Sequence, residues 1–478
     1  MVSVFFRLAA APGRGIGFFH RRSRRVLEAV GGKGTGLIAA ALLLALAAPA
    51  GAAPYNWDGG SDLQGWKSPR GEMYFAEGTT RNGFEEYLLL RNPGSVAASV
   101  TISYQFPAPE VPITQELSLS AGGGACVCVN DAVGPGRDVS LAVTSEPGII
   151  AERQIFFNYK GVWTGGHCST GAGSPSEQWY FAEGTTRAGF HEWLCLQNPG
   201  EEKVPVTLTY FLGTGEVRTS YVDIPARSRH TVDVNAALGP DEDVSVKVDA
   251  GAPIVAERPM YFDYKGSWRG GHDAVGSNGL SDEWYFAEGT TRNGFEEWLC
   301  IFNPGGEATA RVEYMFPDSQ SATAEYVLKA HARTTIFVNQ AVGPERDVSM
   351  RVAASKPVLC ERPMYFAYHL AWEGGHVIMG SSQYSKEWYM PAASVGGSSE
   401  SWLCVMNLSN RADSVMVRFH GSGGAIREKA VCMDPRSRAT LDLRAETTGM
   451  DDTWLEVKGT CGLMEERPSY FSYDPMVA

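Results

Sequence analysis

Hydrophobic residues alternate with polar or small ones along many short segments of this chain. Val204, Val206, Leu208 and Tyr210 alternate with proline and threonine, and the segment 244–249 shows the same pattern. A period of two residues predicts β-strands with one buried face, because successive side chains point to opposite sides of a strand. About seven such segments recur in each stretch of roughly 100 residues, separated by Gly, Pro, Asn or Asp turns. No segment shows the 3.6-residue period of an amphipathic helix.

The alternating segments are organised as four copies of one unit. The octapeptide Tyr-Phe-Ala-Glu-Gly-Thr-Thr-Arg begins at Tyr74, Tyr180 and Tyr285, and a divergent fourth copy begins near Trp388. A spacing of about 105 residues fits a small domain with its own core, whereas solenoid units have ~20–50 residues. We therefore expect an all-β fold, with a tandem array of four immunoglobulin-sized antiparallel β-sandwich domains. A Glu-Arg pair also recurs late in every unit, at 152–153, 257–258, 361–362 and 466–467.

The N-terminal region has the composition of an export signal. Basic residues precede an apolar run from Gly36 to Ala48, and small residues continue to Ala53. This order is typical of a signal peptide, and the run is shorter than the ~20 residues that span a bilayer. A secreted or cell-surface location follows, with an uncleaved N-terminal anchor as the alternative. The predicted divisions are an export segment at 1–53, a linker at 54–72, and repeats at 73–178, 179–283, 284–387 and 388–478, the last acting as a terminal cap.

Charge and cysteine content narrow the function classes. The formal net charge of -13 argues against nucleic acid as a partner, because phosphate neutralisation needs an excess of Lys and Arg. Three of the nine cysteines, Cys195, Cys300 and Cys404, occupy one equivalent position, where repeat 1 has Leu89. The position therefore accepts a plain apolar side chain, and a disulfide framework shared by all repeats is excluded. Single bridges stay open between Cys300 and Cys360, and between Cys404 and Cys432 or Cys461.

The Glu-Gly-Thr-Thr-Arg segment is the most distinctive candidate site. A carboxylate, two hydroxyls and a guanidinium within five residues can bind a sugar or a peptide terminus through charge-assisted hydrogen bonds. The alternative is a structural turn in which the hydroxyls satisfy backbone groups and Glu pairs with Arg. The candidate ligand-binding residues are Glu77, Thr79, Thr80, Arg81, Glu183, Thr185, Thr186, Arg187, Glu288, Thr290, Thr291 and Arg292.

A second motif, Trp-x-Gly-Gly-His, follows each of the first three repeats, and we expect no such segment before repeat 1. This placement predicts that the motif lies at three junctions, where the tryptophans serve as stacking platforms or as contacts between repeats. The histidines lack neighbouring ligands at zinc spacing, so we expect turns in which each imidazole bonds a backbone carbonyl, with no metal. The junction residues are Trp163, His167, Trp268, His272, Trp372 and His376.

Enzyme motifs are not evident. No nucleophile elbow, phosphate loop or dinucleotide motif appears in the sequence, so we expect no cofactor. Glu183 and Glu192 are the two carboxylates that a glycosidase would need. Repeat 4 lacks the first of them, and an active site is rarely multiplied within one chain, so we expect a protein that is not an enzyme.

The repeated Trp-Tyr-Phe-Ala-Glu-Gly-Thr-Thr-Arg-x-Gly-Phe-x-Glu-Trp-Leu…Asn-Pro-Gly unit resembles an uncharacterised repeat family of secreted actinobacterial proteins, a domain of unknown function. The resemblance covers the chain from Met73 onward and implies no activity. A more distant likeness, through Ala226-Arg227 and the strand at 253–255 before Arg258, is to the sensory-rhodopsin-transducer type of β-sandwich. That likeness implies a sandwich fold.

Three function hypotheses remain. The first is a non-enzymatic adhesion or binding module for carbohydrate or another extracellular polymer, since linked weak sites gain avidity. The second is a purely structural spacer or stalk, and the third is a glycan hydrolase. Oligomeric state, ligand and strand order are not encoded in these patterns.

Overall fold

The computed structural model describes residues 56–475, so the predicted export segment at 1–53 lies outside it. Most of the described chain forms antiparallel strands, which confirms the predicted all-β class. Within residues 56–475, no helix has both the length and the apolar character that crossing a bilayer requires.

Each repeat contains seven strands and one short helix that follows the fifth of them. Strand β1 (Trp57–Ser61) comes before the first repeat. Repeat 1 has β2 (Arg70–Phe75), β3 (Phe84–Arg91), β4 (Ala98–Gln105), β5 (Ile113–Leu119), β6 (Gly124–Cys128), α1 (Val129–Val133), β7 (Ser140–Tyr159) and β8 (Trp163–Ser169). Repeat 2 has β9 (Ser176–Phe181), β10 (Phe190–Asn198), β11 (Val204–Leu212), β12 (Val217–Ile224), β13 (Ser228–Asp233), α2 (Val234–Leu238), β14 (Val244–Tyr264) and β15 (Trp268–Val275).

Repeats 3 and 4 follow the same order. Repeat 3 has β16 (Ser281–Phe286), β17 (Phe295–Asn303), β18 (Ala308–Met315), β19 (Ser321–Leu328), β20 (Ala332–Phe337), α3 (Val338–Val342), β21 (Ser349–Tyr368) and β22 (Trp372–Met379). Repeat 4 has β23 (Ser385–Met390), β24 (Ser398–Asn407), β25 (Asp413–His420), a 3₁₀ turn at 422–424, β26 (Ile426–Met433), β27 (Arg438–Asp442), α4 (Leu443–Glu446), β28 (Trp454–Glu466) and β29 (Ser469–Tyr473).

The long strand of each repeat belongs to both layers of a sandwich. In repeat 2 the first half of β14 pairs with β11 and β9, and its second half pairs with β10 and β15. The layers are therefore β12-β11-β14-β9 and β13-β10-β14-β15. Side chains that alternate inward from both layers, such as Leu194, Leu208 and Val246, form the buried core of the repeat.

Repeat 4 obtains its central strand from the other end of the chain, as an eighth strand of its sheet. Pro468 interrupts its long strand, and β1 pairs antiparallel with β29 from Trp57 opposite Tyr473 to Ser61 opposite Ser469. In the other repeats this position is filled by β8, β15 or β22, each of which begins with Trp-x-Gly-Gly. The segment Trp-Asp-Gly-Gly-Ser at 57–61 is thus a fourth copy of the junction motif. The expectation that no such segment precedes repeat 1 is therefore wrong. Residues 57–61 form a strand in the sheet of repeat 4, called the fourth sheet below, rather than part of a linker.

The four Trp-x-Gly-Gly strands meet at the centre of the molecule. Each contacts the next in a closed cycle, β1 to β8, β8 to β15, β15 to β22 and β22 to β1. A Cβ on Gly270 would lie 3.1 Å from the Cα of Gly374, and one on Gly374 would lie 3.3 Å from the Cα of Gly59. Only glycine lets backbones approach this closely. The repeats therefore close into a ring around these strands instead of forming an open array.

Aromatic pairs join each repeat to the next around the ring. In every pair the two rings are stacked within 7° of parallel, with centroids 3.9 to 4.0 Å apart. The last repeat is joined to the first in the same way as the others. The stacked pairs are Tyr159–Tyr261, Tyr264–Tyr365, Tyr368–Tyr470 and Tyr473–Phe156.

Candidate functional site

The repeated Glu-Arg pairs form a closed ring of ion pairs. Successive side chains of a strand point to opposite sides, so the Glu of each pair faces one neighbouring repeat and the Arg faces the other. All eight side chains are almost completely buried. The nitrogen–oxygen distances are 2.8 Å for Arg153–Glu257, 2.9 Å for Arg258–Glu361, 3.4 Å for Arg362–Glu466 and 2.7 Å for Arg467–Glu152.

The glutamate of the Glu-Gly-Thr-Thr-Arg segment belongs to this buried network. Glu183 binds Arg258 of its own repeat at 2.8 Å and is 5% exposed. Glu288 binds Arg362 in the same way, and the Glu77 carboxylate lies 3.6 Å from Arg153. In every repeat this arginine also donates to the backbone carbonyl at the position of the glutamate, so repeat 4, which has Ala392 there, keeps the carbonyl contact and lacks the carboxylate. The three carboxylates are therefore not presented to a polymer in solution, contrary to the sequence-based hypothesis.

The threonines of the segment fix the turn that follows. The Thr80 hydroxyl donates to the carbonyl of Gly134 at 2.7 Å, and the Thr79 hydroxyl donates to that of Arg137 at 3.1 Å. Thr185 and Thr291 donate to equivalent carbonyls, while Thr186 accepts from the amide of Glu242 and Thr290 donates to Asp347.

The arginine of the segment lies on the surface. Arg81, Arg187 and Arg292 each pair with an aspartate of a neighbouring loop, Asp138, Asp243 or Asp347, at 2.6 Å, and their side chains are 60–64% exposed. The motif is thus divided between the interior and the surface, and its Glu and Arg do not form one cluster.

A second set of buried glutamates was not recognised as structural from the sequence. Glu86 accepts the amide of Thr79 at 3.0 Å and Glu192 accepts that of Thr185 at 2.7 Å. Burial raises the pKa of Glu86 and of Glu192 to about 8, and that of Glu297 well above its usual range. Glu192 is fully buried, so Glu183 and Glu192 are not placed as a solvent-accessible catalytic pair.

An acidic cluster surrounds Arg362. Carboxylate oxygens of Asp62, Glu288 and Glu466 lie within 4.8 Å of one another, a spacing that suits a metal ion. The Arg362 guanidinium lies against all three carboxyls and supplies the positive charge there. Burial raises the pKa of Asp62 to about 8 and that of Glu288 to about 7.

The junction histidines lie in strands at the centre of the ring, not in turns. No ring nitrogen of His167, His272 or His376 has a hydrogen-bond partner within residues 56–475, so the predicted bond to a backbone carbonyl is wrong. Each imidazole instead packs beside the phenylalanine of the paired strand, with centroids 5.6 to 6.0 Å apart. Burial, together with neighbouring arginines, lowers the pKa of all three well below its ordinary value, so they are neutral.

The junction tryptophans are half-buried. Trp163, Trp268 and Trp372 stack on Tyr159, Tyr264 and Tyr368, with centroids 5.8 to 6.0 Å apart. One face of each indole is therefore covered by a tyrosine of the same repeat.

Each of the nine cysteines lies within residues 56–475 and is free. The bridges left open by the sequence, Cys300 with Cys360 and Cys404 with Cys432 or Cys461, do not form.

In repeats 2, 3 and 4 one further arginine reaches across the junction and donates to a backbone carbonyl of the preceding repeat. Arg229 binds the carbonyl of Gly78 at 2.6 Å, Arg333 that of Gly184 at 2.8 Å and Arg438 that of Gly289 at 2.9 Å. The equivalent residue of repeat 1, on the strand paired with β3, is Gly124.

Arg91, directly opposite Gly124, bridges the junction with repeat 4. Its Nε donates to the carbonyl of Pro391 at 2.9 Å, and its guanidinium pairs with Asp452. A Cβ on Gly124 would lie 2.2 Å from Nη1 of Arg91, so the glycine leaves the space that Arg91 occupies.

Two pockets lie at opposite ends of the central strands. The axial pocket has a volume of about 420 Å³ and is lined by residues that follow the Gly-Gly pairs, including Gln64, Lys67, Thr170, Asn278 and Gln383. The opposite pocket, of about 390 Å³, is lined by residues that precede them, including Asp58, Thr164, Arg269 and Glu373. The axial pocket was not predicted from the sequence, because its lining residues come together only when the ring closes.

Comparison with known proteins finds similarity to one family model and to solved structures. The model of a family of unknown function, DUF5719, matches residues 160–361, which run from the end of repeat 1 to near the end of repeat 3. No curated protein matches the chain.

Three solved structures show weak similarity. Thermotoga maritima 1070 is 17% identical, covers 22% of this chain and 94% of its own, and has a TM-score of 0.21. The Anabaena sensory rhodopsin transducer is 26% identical, covers 18% of this chain and 95% of its own, and has a TM-score of 0.17. A tetra-tandem repeat from the extending region of a large adhesion protein is 9% identical, covers 87% of this chain and 99% of its own, and has a TM-score of 0.11. Scores this low carry no argument about function.

Proposed function

We propose that this chain is a non-enzymatic exported protein, secreted or held at the cell surface, that binds a carbohydrate or another surface polymer through its axial pocket. The observation that supports this proposal is the pocket itself, which the N-terminal segment and repeats 1, 2 and 3 line together. Its volume of about 420 Å³ lies within the range of ~300–1,000 Å³ that small-molecule sites occupy.

The chemistry of the lining suits a ligand rich in hydroxyl groups. Gln64, Asn278 and Gln383 offer amide donors and acceptors, and Thr170 and Ser382 offer hydroxyls. Asn278, Ser382 and Gln383 are exposed, so they can bond a ligand without breaking the core. The formal net charge of -13 disfavours nucleic acid as the polymer.

Two alternatives fit the geometry less well. A stalk must extend, whereas β1 pairs with β29 and brings both ends of the described chain side by side. A hydrolase needs carboxylates that substrate can reach, whereas Glu183 and Glu192 are 5% and 0% exposed.

A glycan array and a pull-down with insoluble cell-wall polysaccharide, both using residues 54–478, test the proposal. Replacement of Thr170, Asn278 and Gln383 together by alanine should weaken binding by about tenfold or more, without a change in melting temperature. The matched control is Arg187→Ala with Arg292→Ala, which removes exposed arginines outside the pocket and should leave binding unchanged.

Three outcomes would count against the proposal. Loss of binding in the arginine variant alone would move the site to the Glu-Gly-Thr-Thr-Arg segments. Absence of binding to every glycan and wall polymer would end the binding hypothesis. Turnover of a glycan that Glu183→Gln abolishes would make the protein a hydrolase.

A further inference from the structure

The junction between repeats 4 and 1 is closed without a covalent connection. In repeats 1, 2 and 3, three-residue turns at 160–162, 265–267 and 369–371 connect the long strand to the central strand beside it. In repeat 4 the long strand ends at Tyr473, and its central partner β1 starts at Trp57. The fourth sheet is therefore completed by docking of a strand from the opposite end of the chain.

The groove that holds β1 is specific for a Trp-x-Gly-Gly strand. Trp57 is 7% exposed and packs against Tyr473 with ring centroids 5.8 Å apart. A Cβ on Gly60 would lie 2.5 Å from Cζ of Phe366 and 2.9 Å from the carbonyl oxygen of Ser469. Any side chain at this position would meet backbone as well as a buried ring, so the strand must carry glycine there.

Residues beyond β1 extend the same docking interaction. Asp62 pairs with Arg362, the carbonyl of Leu63 accepts the amide of Arg467 at 2.8 Å, and the amide of Gly65 donates to Glu465 at 2.8 Å. These partners all belong to repeats 3 and 4. The segment also contacts repeat 1, where Ser61 accepts the amide of Cys168 and Trp66 donates to the carbonyl of Ala151. A copy of the segment 56–66 from another molecule would find the same partners in repeats 3 and 4 and would bring its own repeat 1 with it.

We propose that the ring opens at this junction and that the fourth sheet accepts the segment 56–66 of a second copy of the chain. A strand exchanged between identical chains keeps the contacts of the closed form, so chain concentration decides which form prevails. A second copy is the partner that fits, because the other Trp-x-Gly-Gly strands are tied by short turns to the long strands they pair with.

A disulfide trap between two differently tagged chains tests the exchange. Asp58 and Ser472 are register partners and are only partly buried, and antiparallel partners lie within disulfide reach. Chains carrying Asp58→Cys and chains carrying Ser472→Cys are unfolded in urea, refolded together at several concentrations and oxidised. We expect a mixed disulfide dimer whose yield rises steeply with chain concentration and exceeds that of either single variant refolded alone.

The control places both substitutions in one chain, where an intramolecular disulfide at low concentration shows that the variants fold and that the geometry permits the bond. A synthetic peptide of residues 56–67 in excess should suppress the mixed dimer, and the same peptide with Gly60→Val should not. If the control bridges internally while the mixed dimer never exceeds the single-variant background, the proposal is overturned.

Discussion

The guanidinium of Arg467 binds the carboxylate of Glu152, which lies 315 residues earlier in the chain, with 2.7 Å between Nη2 and Oε1. Both side chains are completely buried. The pair joins the last repeat to the first in the way that three other Arg-Glu pairs join consecutive repeats. Two kinds of interaction therefore close the ring, the buried Arg467–Glu152 ion pair and the hydrogen bonds between β1 and β29.

Arg467→Met should destabilise the folded protein strongly, because it leaves the buried Glu152 carboxylate without its partner. Loss of one member of a buried pair typically costs about 3–5 kcal/mol. Urea unfolding followed by tryptophan fluorescence measures the loss, and Arg187→Ala, which removes an exposed pair with Asp243, is the control. Adding Glu152→Gln to Arg467→Met should recover part of the stability. A midpoint for Arg467→Met no lower than that of Arg187→Ala would contradict the prediction.

Stability should fall as the pH rises from 6.5 to 8. Burial raises the pKa of Asp62, Glu86 and Glu192 to about 8, whereas carboxyls in the unfolded chain titrate near 4. In this window the folded state holds more protons than the unfolded state, so the free energy of unfolding decreases with pH. The buried histidines, whose pKa is lowered, act oppositely but mainly below pH 6.5.

Urea midpoints at pH 6.5 and pH 8 measure this dependence, with ionic strength held constant. The variant Glu86→Gln with Glu192→Gln removes two of the titrating groups and should show a shallower decline. A midpoint that stays constant or rises between the two pH values would show that these carboxyls are ionised in the folded protein.

The strand content was predictable from the sequence, because the period-two alternation depends only on which face of each strand is buried. Ring closure was not predicted, because Trp57 and Tyr473 lie at opposite ends of the described chain and Ser61 replaces the histidine of the other copies. The role of Glu77 was also misjudged. It lies four residues from Arg81, yet the turn between them sends one side chain into the interior and the other into solvent.

The repeated Glu-Arg pairs contain a further sequence signal, which points to closure of the ring. Adjacent opposite charges on a buried strand face opposite sides and therefore need partners on both. Each pair offers its Arg to the next repeat and its Glu to the preceding one. All eight charges therefore find partners only when the last repeat contacts the first. The pattern is informative only if the pairs are buried, and the structure shows that they are, since Glu257 and Arg258 are each 0% exposed.

Gly60→Val should release β1 from the fourth sheet, because the new side chain would meet Phe366 and the backbone of Ser469. We expect a lower urea midpoint and new protease cleavage near residues 62–69. The matched control is Gly279→Ala, since a Cβ there would have no atom within 4 Å. Equal midpoints for the two variants would mean that the groove tolerates a side chain at position 60.

Exchange of the bridging arginine between strands tests how the ring closes at the junction of repeats 4 and 1. Repeat 2 pairs Gln197 with Arg229 across its ladder, whereas repeat 1 pairs Arg91 with Gly124. Gly124→Arg alone should destabilise the protein, because its Cβ would lie 2.2 Å from Nη1 of Arg91 and two guanidiniums would compete for one space. Arg91→Gln alone should also destabilise it, through loss of the contacts with Pro391 and Asp452.

The double variant recreates the pair of repeat 2 and should recover most of the lost stability, with a coupling energy of about 1–3 kcal/mol in a double-mutant cycle. Additive losses would show that the two positions act independently and that the junction with repeat 4 does not accept the arrangement found in repeat 2.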